Sequence, residues 1–554
     1  MRILYVSLFC LITLSSFSQT YFLGENNNTP INNRSVITPI VASIDYQGYD
    51  ETQAYFGEGE YEIFIDNVDG ILDKPIIVLD GFDPGDGRNI TGLYNSLNFG
   101  GQNLADILRN EGFDIVILNA PQYTTNGKDI DGGADYIQRN AMVTIELINL
   151  LNDLKVGNEE LVLLGPSMGG LIARYALSFM EQNSMDPETR LYISFDSPHR
   201  GANIPISLQY LINYLAQQLG DPTAVTLVDQ VLNSPAAKEM LYDHLNAHLL
   251  AGSTFEQDPT KLLPEGAPNF RDAFQSELDA LGFPQQLRNV AMVNGSSQGT
   301  TTGNPGMQVV DTNLDLGSGL TADVNLHFTP EASQTINVVD FQTLIVGIPV
   351  ASFMAEAQSF GFSDGVDASP GGTGNISAAL GGGGSANPVI IAFIAALDQD
   401  AYSFIPLISA LAIENEDDWF ATPDIGGIHN SAFVNTYIPL VNEPHVTVTQ
   451  ASAQFALDEI RNTVLGITSV NAVEEKYILD RNPVSQEIKL RLDPSFLYSE
   501  VNIKVINVAG QEVLSEKFVD PSNYLTIDHE LSKGMYLLKI KDTQGIYTLK
   551  FLVD

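Results

Sequence analysis

The chain has 554 residues, 44% of them hydrophobic, which is enough for a large core and for two or three domains. Its 68 acidic residues outnumber 26 basic ones, and a net charge of −42 repels nucleic acid and anionic lipid headgroups. Cys10 is the single cysteine, which excludes an intrachain disulfide, a multi-thiolate metal site and, once the first segment is removed, a cysteine nucleophile.

The charge reads first as solubility, with adaptation to salt or calcium binding as the other readings. Residues 1–20 read MRILYVSLFCLITLSSFSQT, with Arg2 at the start and mostly apolar residues from 3 to 14. Ser16 and Ser18 are small residues at positions −3 and −1 of a cut before Gln19. Residues 1–18 are expected to be a secretory signal peptide, because the apolar run is too short for an anchor. Ser-Leu-Phe before Cys10 is not a lipidation box. No later segment offers ~20 uninterrupted apolar residues, so no transmembrane segment is expected in the mature protein.

From about 60 to 200 strands and helices alternate. EYEIFIDN (60–67) alternates as a half-buried strand, and PIIVLDG (75–81) is an apolar run ending in a turn. NLADILRNEGF (103–113) reads as helix, DIVILNAP (114–121) as strand, and 134–154 carries apolar residues at helical spacing. ELVLLG (160–165), LIARYALSFM (171–180) and LYISFD (191–196) continue as strand, helix, strand. Apolar strands of about six residues between amphipathic helices predict βαβ units and a mostly parallel sheet. A helical insertion is expected over 202–285, where Leu208, Leu211, Ile212, Leu215 and Leu219 share one face, as a lid-like wall over the sheet or as extra domain packing. RNVAMVNG (288–295) reads as a further strand. Residues 300–400 are expected to be an irregular insertion, with alternating runs (VVDTNLDL, ADVNLHF), an apolar stretch near 340–356 and a flexible Gly-rich tract over 371–388. Residues 449–464 read as a last helix. Beyond a linker at 467–477 the pattern becomes all-β, including a hairpin about Asp542–Gly545, which predicts a small C-terminal sandwich.

The stretch LVLLGPSMGG (161–170) contains Gly165-Pro-Ser167-Met-Gly169, a G-x-S-x-G pattern. It follows a buried strand and opens a helix, as a nucleophile elbow must. Small neighbours let the chain turn sharply and lift Ser167 Oγ above the sheet. The other reading is a tight turn without chemistry. A second match, Gly295-Ser-Ser297-Gln-Gly299, opens onto TTTGNPG, which cannot start a helix.

IVLDGF, GPSMGG and SPHRG, in that order and spacing, resemble the bacterial α/β-hydrolase lipases and esterases. The resemblance covers about residues 60–465 and implies hydrolysis of a carboxylic ester through an acyl-serine intermediate. It implies a base in the loop after the last strand, where His445 lies in NEPHVTVT. His429, in a loop, stays open as an alternative. His199 reads as a structural hydrogen-bonder, His244 and His248 as surface or lid residues on a helix, His327 as a strand residue and His529 as a residue of the C-terminal β-sandwich. For the acid, SFIPLISAL (403–411) resembles the acid-Gly-x-x-Pro segment of lipases, but Tyr402 and Ser403 occupy the acid and glycine positions. Asp196, at the end of the strand after the elbow helix, is the expected acid, with Asp398, Asp400, Asp364 and Asp367 behind it. The backbone N–H groups of Met168 and Phe82 are expected to form the oxyanion hole, with Asp80 standing where lipases carry a histidine. No metal and no cofactor are expected.

RNPVSQEIKLRL, VNIKVINVAGQEVL and LSKGMYLLKI resemble the sorting domain of the type IX secretion system of Bacteroidota, over about 478–554. The resemblance implies passage through the outer membrane and release or attachment at the cell surface. The expected whole is an exported α/β-hydrolase domain (19–466) acting on an ester substrate, with an address label that has no catalytic part. The rival readings are a non-catalytic surface adhesin on the same scaffold, and a serine amidase or acyltransferase.

Overall fold

A computed structural model describes residues 36–380, 388–425 and 427–461. Toward the C-terminus it describes 477–479, 481, 483–484, 487–492, 500–507, 511–519, 521, 524–542 and 546–553. The signal segment 1–18, most of the 467–477 linker and residues 543–545 of the expected hairpin lie outside these. The chain divides into two compact units, Met1–Asn462 and Thr463–Asp554.

The first unit is built on an eight-stranded sheet. Its strands are β1 (Thr38–Tyr46), β2 (Tyr55–Phe64), β3 (Pro75–Leu79), β4 (Asp114–Asn119), β5 (Leu161–Pro166), β6 (Thr189–Phe195), β7 (Arg288–Met292) and β8 (Asn435–Tyr437). They lie in the order β1-β2-β4-β3-β5-β6-β7-β8. The β1–β2 and β2–β4 pairs are antiparallel, and every later pair is parallel. This is an α/β-hydrolase sheet, the class expected from the alternation of strands and helices.

Helices cover both faces, which is why β3 to β7 read as nearly unbroken apolar runs. Ile77, Leu79, Val116, Leu118 and Leu163 pack on one side with α3 (Ile137–Leu154) and α4 (Met168–Gln182). Their neighbours Ile76, Val78, Ile115, Ile117 and Leu164 point the other way. There they meet α1 (Ile90–Ser96), α2 (Leu104–Arg109) and α5 (Gln450–Arg461). Asn89 caps α1 by accepting from Gly92 N–H, and Asn103 caps α2 by accepting from Ala105 and Asp106 N–H.

Helix α3 has no such local cap. Instead Glu239, from the insertion, accepts the Ile137 N–H at 2.9 Å. Glu239 is fully buried, and burial holds its carboxyl well above the usual carboxylate range. A raised folded-state pKa stabilises below the unfolded value and costs stability as pH climbs through the folded one. Glu239→Gln keeps an acceptor and removes the charge. It is expected to raise Tm by about 1–2 °C at pH 8 and by less at pH 5, the shift that ~1 kcal/mol produces in a unit this long. Differential scanning calorimetry at the two pH values checks this; an equal or lower Tm at pH 8 contradicts it.

The 202–285 insertion is helical, including Ile206–Tyr214, Pro235–Met240 and Arg271–Leu281. The segment expected to be irregular, 300–400, instead holds a four-stranded antiparallel sheet. Its strands are Gln308–Gly317, Leu320–His327, Thr335–Ile345 and Ile348–Gln358, each paired with the next. The apolar stretch near 340–356 is the last hairpin. Its turn places Val346 at φ 49° and Gly347 at φ 79°, and valine carries no turn signal.

The second unit pairs a three-stranded antiparallel sheet with a four-stranded one. Alternate residues such as Ile488, Leu490, Val501, Ile503, Leu525, Ile527, Leu538 and Ile540 point into a shared core. It is the all-β domain expected from the alternating strands.

Candidate active site

Ser167 sits between β5 and α4 with φ 55° and ψ −128°, a conformation that a residue with a side chain adopts only under constraint. Its N–H donates to Phe195 O at 2.8 Å, tying the elbow to β6. Glycine neighbours make the turn possible. A Cβ at Gly165 would lie 2.5 Å from Gly169 O, and one at Gly169 would lie 2.7 Å from Asp80 O. A Cβ at Gly170 would overlap Ser197 Oγ. Ser167 is half-buried at the carboxyl end of the sheet.

Two further side chains meet it. His445 follows β8, and its Nε2 lies 2.8 Å from Ser167 Oγ. Its Nδ1 lies 2.7 Å from Oδ2 of Asp196, the residue after β6. Asp196 is fully buried, with φ 49°, and its own N–H donates to Met292 O at 2.7 Å. Asn294 N–H donates to Asp196 Oδ1 at 3.0 Å, which leaves Oδ2 to the imidazole.

The His445 loop is held by a segment that sequence reasoning missed. Gly371–Asn375 and Ala401–Pro406 form a two-stranded antiparallel ribbon. Thr373 O accepts the His445 N–H at 3.0 Å, and Thr373 N–H donates to Glu443 O at 3.0 Å. Phe404 meets the His445 ring edge-on, with centroids 4.9 Å apart and an interplanar angle of 86°. The start of the tract expected to be flexible is thus strand, and its glycines permit close approach. A Cβ at Gly372 would overlap Asp196 Oδ2, and one at Gly371 would overlap Ser403 Oγ. Residues 381–387 of that tract lie outside the described residues. The helical insertion, expected as a lid-like element, packs its Ile206–Tyr214 helix on the four-stranded sheet.

Among the described residues, no carbonyl or side chain accepts from the backbone N–H of Phe82 or Met168. The loop carrying Phe82 lies against the serine: a Cβ at Gly81 would stand 3.1 Å from Ser167 Cβ. Asp80 is buried, and its Oδ1 accepts from Gly81 N–H at 2.7 Å and from Arg88 Nη2 at 2.8 Å. Burial pushes its pKa up to about 7, and the Arg88 guanidinium offsets only part of that. Asp80 Oδ2 makes no hydrogen bond among the described residues, and Asp80 lines a small cavity with Asn119, Asn140, Thr144 and Met168.

The other candidates lie elsewhere. His199 is buried, 2.9 Å from Ser194 Oγ, between Phe283 and Phe433, and burial lowers its pKa. His244 and His248, expected at the surface or in a lid, are both buried. His244 Nδ1 accepts from Asn246 N–H, and His248 Nε2 pairs with Asp243 at 2.6 Å. The reason is that the insertion packs on the four-stranded sheet, with Tyr210 and Tyr214 against Phe353, and shares the core that covers one face of the central sheet. His429 Nδ1 accepts from Asp424 N–H, and His529 Nδ1 from Leu531 N–H. Asp364 accepts from Ala332 N–H, Asp367 from Thr329, Asp398 from Gln308 and Asp400 from Ser377. Ser297 lies in a turn with no helix after it, and its N–H donates to Pro439 O. Among the described residues no group of three or more His, Cys, Asp or Glu side chains is placed to hold a metal ion. No helix among them is long and apolar enough to cross a membrane.

Residues 482–554 match the family model of a secretion system C-terminal sorting domain. This domain marks the chain for type IX export to the cell surface or extracellular space. No curated protein matches the chain by sequence. Among solved structures, Est1E from Butyrivibrio proteoclasticus is similar at 9% identity and TM-score 0.23, over 43% of this chain and 73% of that one. A hyperthermophilic esterase from the archaeon Pyrobaculum calidifontis is similar at 10% identity and TM-score 0.23, over 48% and 66%. XC6422 from Xanthomonas campestris, a member of the α/β serine hydrolases without a lid, is similar at 15% identity and TM-score 0.20, over 31% and 66%.

Proposed function

We propose that this exported chain is a serine hydrolase that cleaves carboxylic esters through an acyl-serine intermediate. The observation that carries the reading is the unbroken line Ser167 Oγ, His445 Nε2, His445 Nδ1, Asp196 Oδ2, with contacts of 2.8 and 2.7 Å. An ionised Asp196 accepts only, so Nδ1 carries the proton and the Nε2 lone pair faces the serine hydroxyl.

As Ser167 Oγ attacks the ester carbonyl, its proton passes to Nε2 of His445. The carbonyl oxygen gains the negative charge, and the N–H groups of Phe82 and Met168 hold it. The tetrahedral species expels the alcohol oxygen, which takes the proton back from Nε2. Water repeats the sequence on the acyl-enzyme, giving the acid and the free serine. The adhesin reading drew its support from the acid missing at 402–403. Asp196 bonded to His445 removes that motive.

A series of p-nitrophenyl esters of increasing acyl length, run beside the matching anilides, tests the proposal. Ester turnover with the anilides at least about 100-fold slower in kcat/KM is expected; hydrolysis of neither sinks the reading, and anilides cleaved faster move it to an amidase. The ribbon supplies a second test. Gly372→Ala forces a methyl group against Asp196 Oδ2. It is expected to lower kcat on the order of 10–100-fold through misplacement of the acid, with KM nearly unchanged. Steady-state kinetics check this, and an unchanged kcat contradicts it.

A further inference from the structure

The loop Asp80–Arg88 reads DGFDPGDGR and closes on its own side chains. Arg88 Nη2 donates to Asp80 Oδ1 at 2.8 Å and to Phe82 O at 3.1 Å. Asp83 Oδ2 accepts the Arg88 N–H at 2.7 Å. Three peptide units run in sequence here. The first, ending at Gly81 N–H, is pinned by Asp80 Oδ1 at 2.7 Å. The third is pinned at both ends: Phe82 O by Arg88, and Asp83 N–H by Gly133 O at 2.9 Å. The middle unit carries the Phe82 N–H, which stays uncommitted between two fixed neighbours.

The arrangement also has an electrostatic side. Asp80 is buried beside the elbow, with its backbone carbonyl against Gly169. A carboxylate there opposes negative charge developing on a bound carbonyl oxygen. Arg88 is its only ion-pair partner among the described residues, and half of that pair stays near solvent, with the Arg88 side chain 40% exposed. A Cβ at Gly81 would stand 3.7 Å from Arg88 Nη2, so the guanidinium lies against the same loop residue that faces the serine.

We infer that Arg88 is a positioning residue of the oxyanion loop: it clamps the peptides flanking the Phe82 N–H and neutralises the Asp80 carboxylate beside them. This rests on the ester hydrolase reading. Arg88 touches no reacting atom, and it acts through Phe82 and Asp80. Its loss leaves a mobile donor and, in alkaline solution where Asp80 is ionised, an uncompensated carboxylate where an oxyanion must form.

The test is kinetic, on the full-length exported protein with a p-nitrophenyl ester in alkaline buffer, where Asp80 is ionised. Arg88→Ala is expected to lower kcat about 30-fold with KM within about twofold, because preorganised oxyanion donors act on the transition state. Adding Asp80→Asn to Arg88→Ala is expected to recover about tenfold of that loss, since the amide oxygen still accepts from Gly81 N–H without charge. Should Arg88→Ala not fold, Arg88→Gln with and without Asp80→Asn makes the same comparison. An unchanged kcat, a change in KM alone, or no recovery in the double variant overturns the inference. Wild-type protein that neither hydrolyses esters nor reacts with a fluorophosphonate overturns the hydrolase reading instead, and this inference with it.

Discussion

Ser167→Ala is expected to lower kcat for a p-nitrophenyl ester by about 10⁵–10⁶-fold while leaving the melting temperature unchanged or slightly higher. The loss is large because nothing else in the site can form the acyl intermediate. Ser297, the second serine in a G-x-S-x-G pattern, lies in a turn on another loop with its N–H bonded to Pro439 O. Stability is expected to hold because, among the described residues, Ser167 Oγ is engaged by His445 and by no backbone group. The strained φ of 55° belongs to the backbone and stays in the variant. Residual activity above about one hundredth of wild type would mean that hydrolysis proceeds without a serine nucleophile. A kinetic assay with calorimetry on the same sample reads both quantities.

Asp196→Asn carries the second largest expected effect, a fall in kcat of about 10⁴-fold at neutral pH. Asn294 N–H continues to donate to an amide oxygen at the Oδ1 position, so the buried site keeps its packing. At the Oδ2 position an NH2 group would face His445 Nδ1 in place of an acceptor. The imidazole then presents a lone pair to the amide and an N–H to Ser167, and it cannot take the serine proton. Asp398→Asn, which only loses a charge beside Gln308, serves as the control and is expected to leave kcat within about twofold. Equal losses in the two variants would detach the acid role from Asp196.

Part of this arrangement was open to sequence reading, for physical reasons. The strands β3 to β7 announce themselves because helices bury both of their faces. The elbow is legible because its turn excludes Cβ atoms at Gly165, Gly169 and Gly170, which leaves a glycine signature beside one serine. Asp196 and His445 could be named because each follows a strand of the sheet. What holds them could not. Thr373 and Gly372 come from a tract whose glycines look like a linker, and Phe404 comes from the strand paired with it. Gly371, Gly372 and Gly374 are glycines because Ser403, Asp196 and Tyr402 press on that strand. The four-stranded insertion sheet was hidden because its last hairpin turns through Val346. Arg88 gave no signal of its own: its role depends on Asp80 and Phe82 being brought under one guanidinium.

The central claim is that the Ser167 oxygen becomes the covalent attachment point of the substrate. Peptide mapping by tandem mass spectrometry after reaction with a fluorophosphonate reads this directly. One phosphonyl group per chain is predicted, on Ser167 in the peptide spanning GPSMGG, with labelling slowed at least about 100-fold by His445→Ala, which removes the base. An adduct on Ser297 or any other serine, or labelling of Ser167 that proceeds at the same rate without His445, would contradict it.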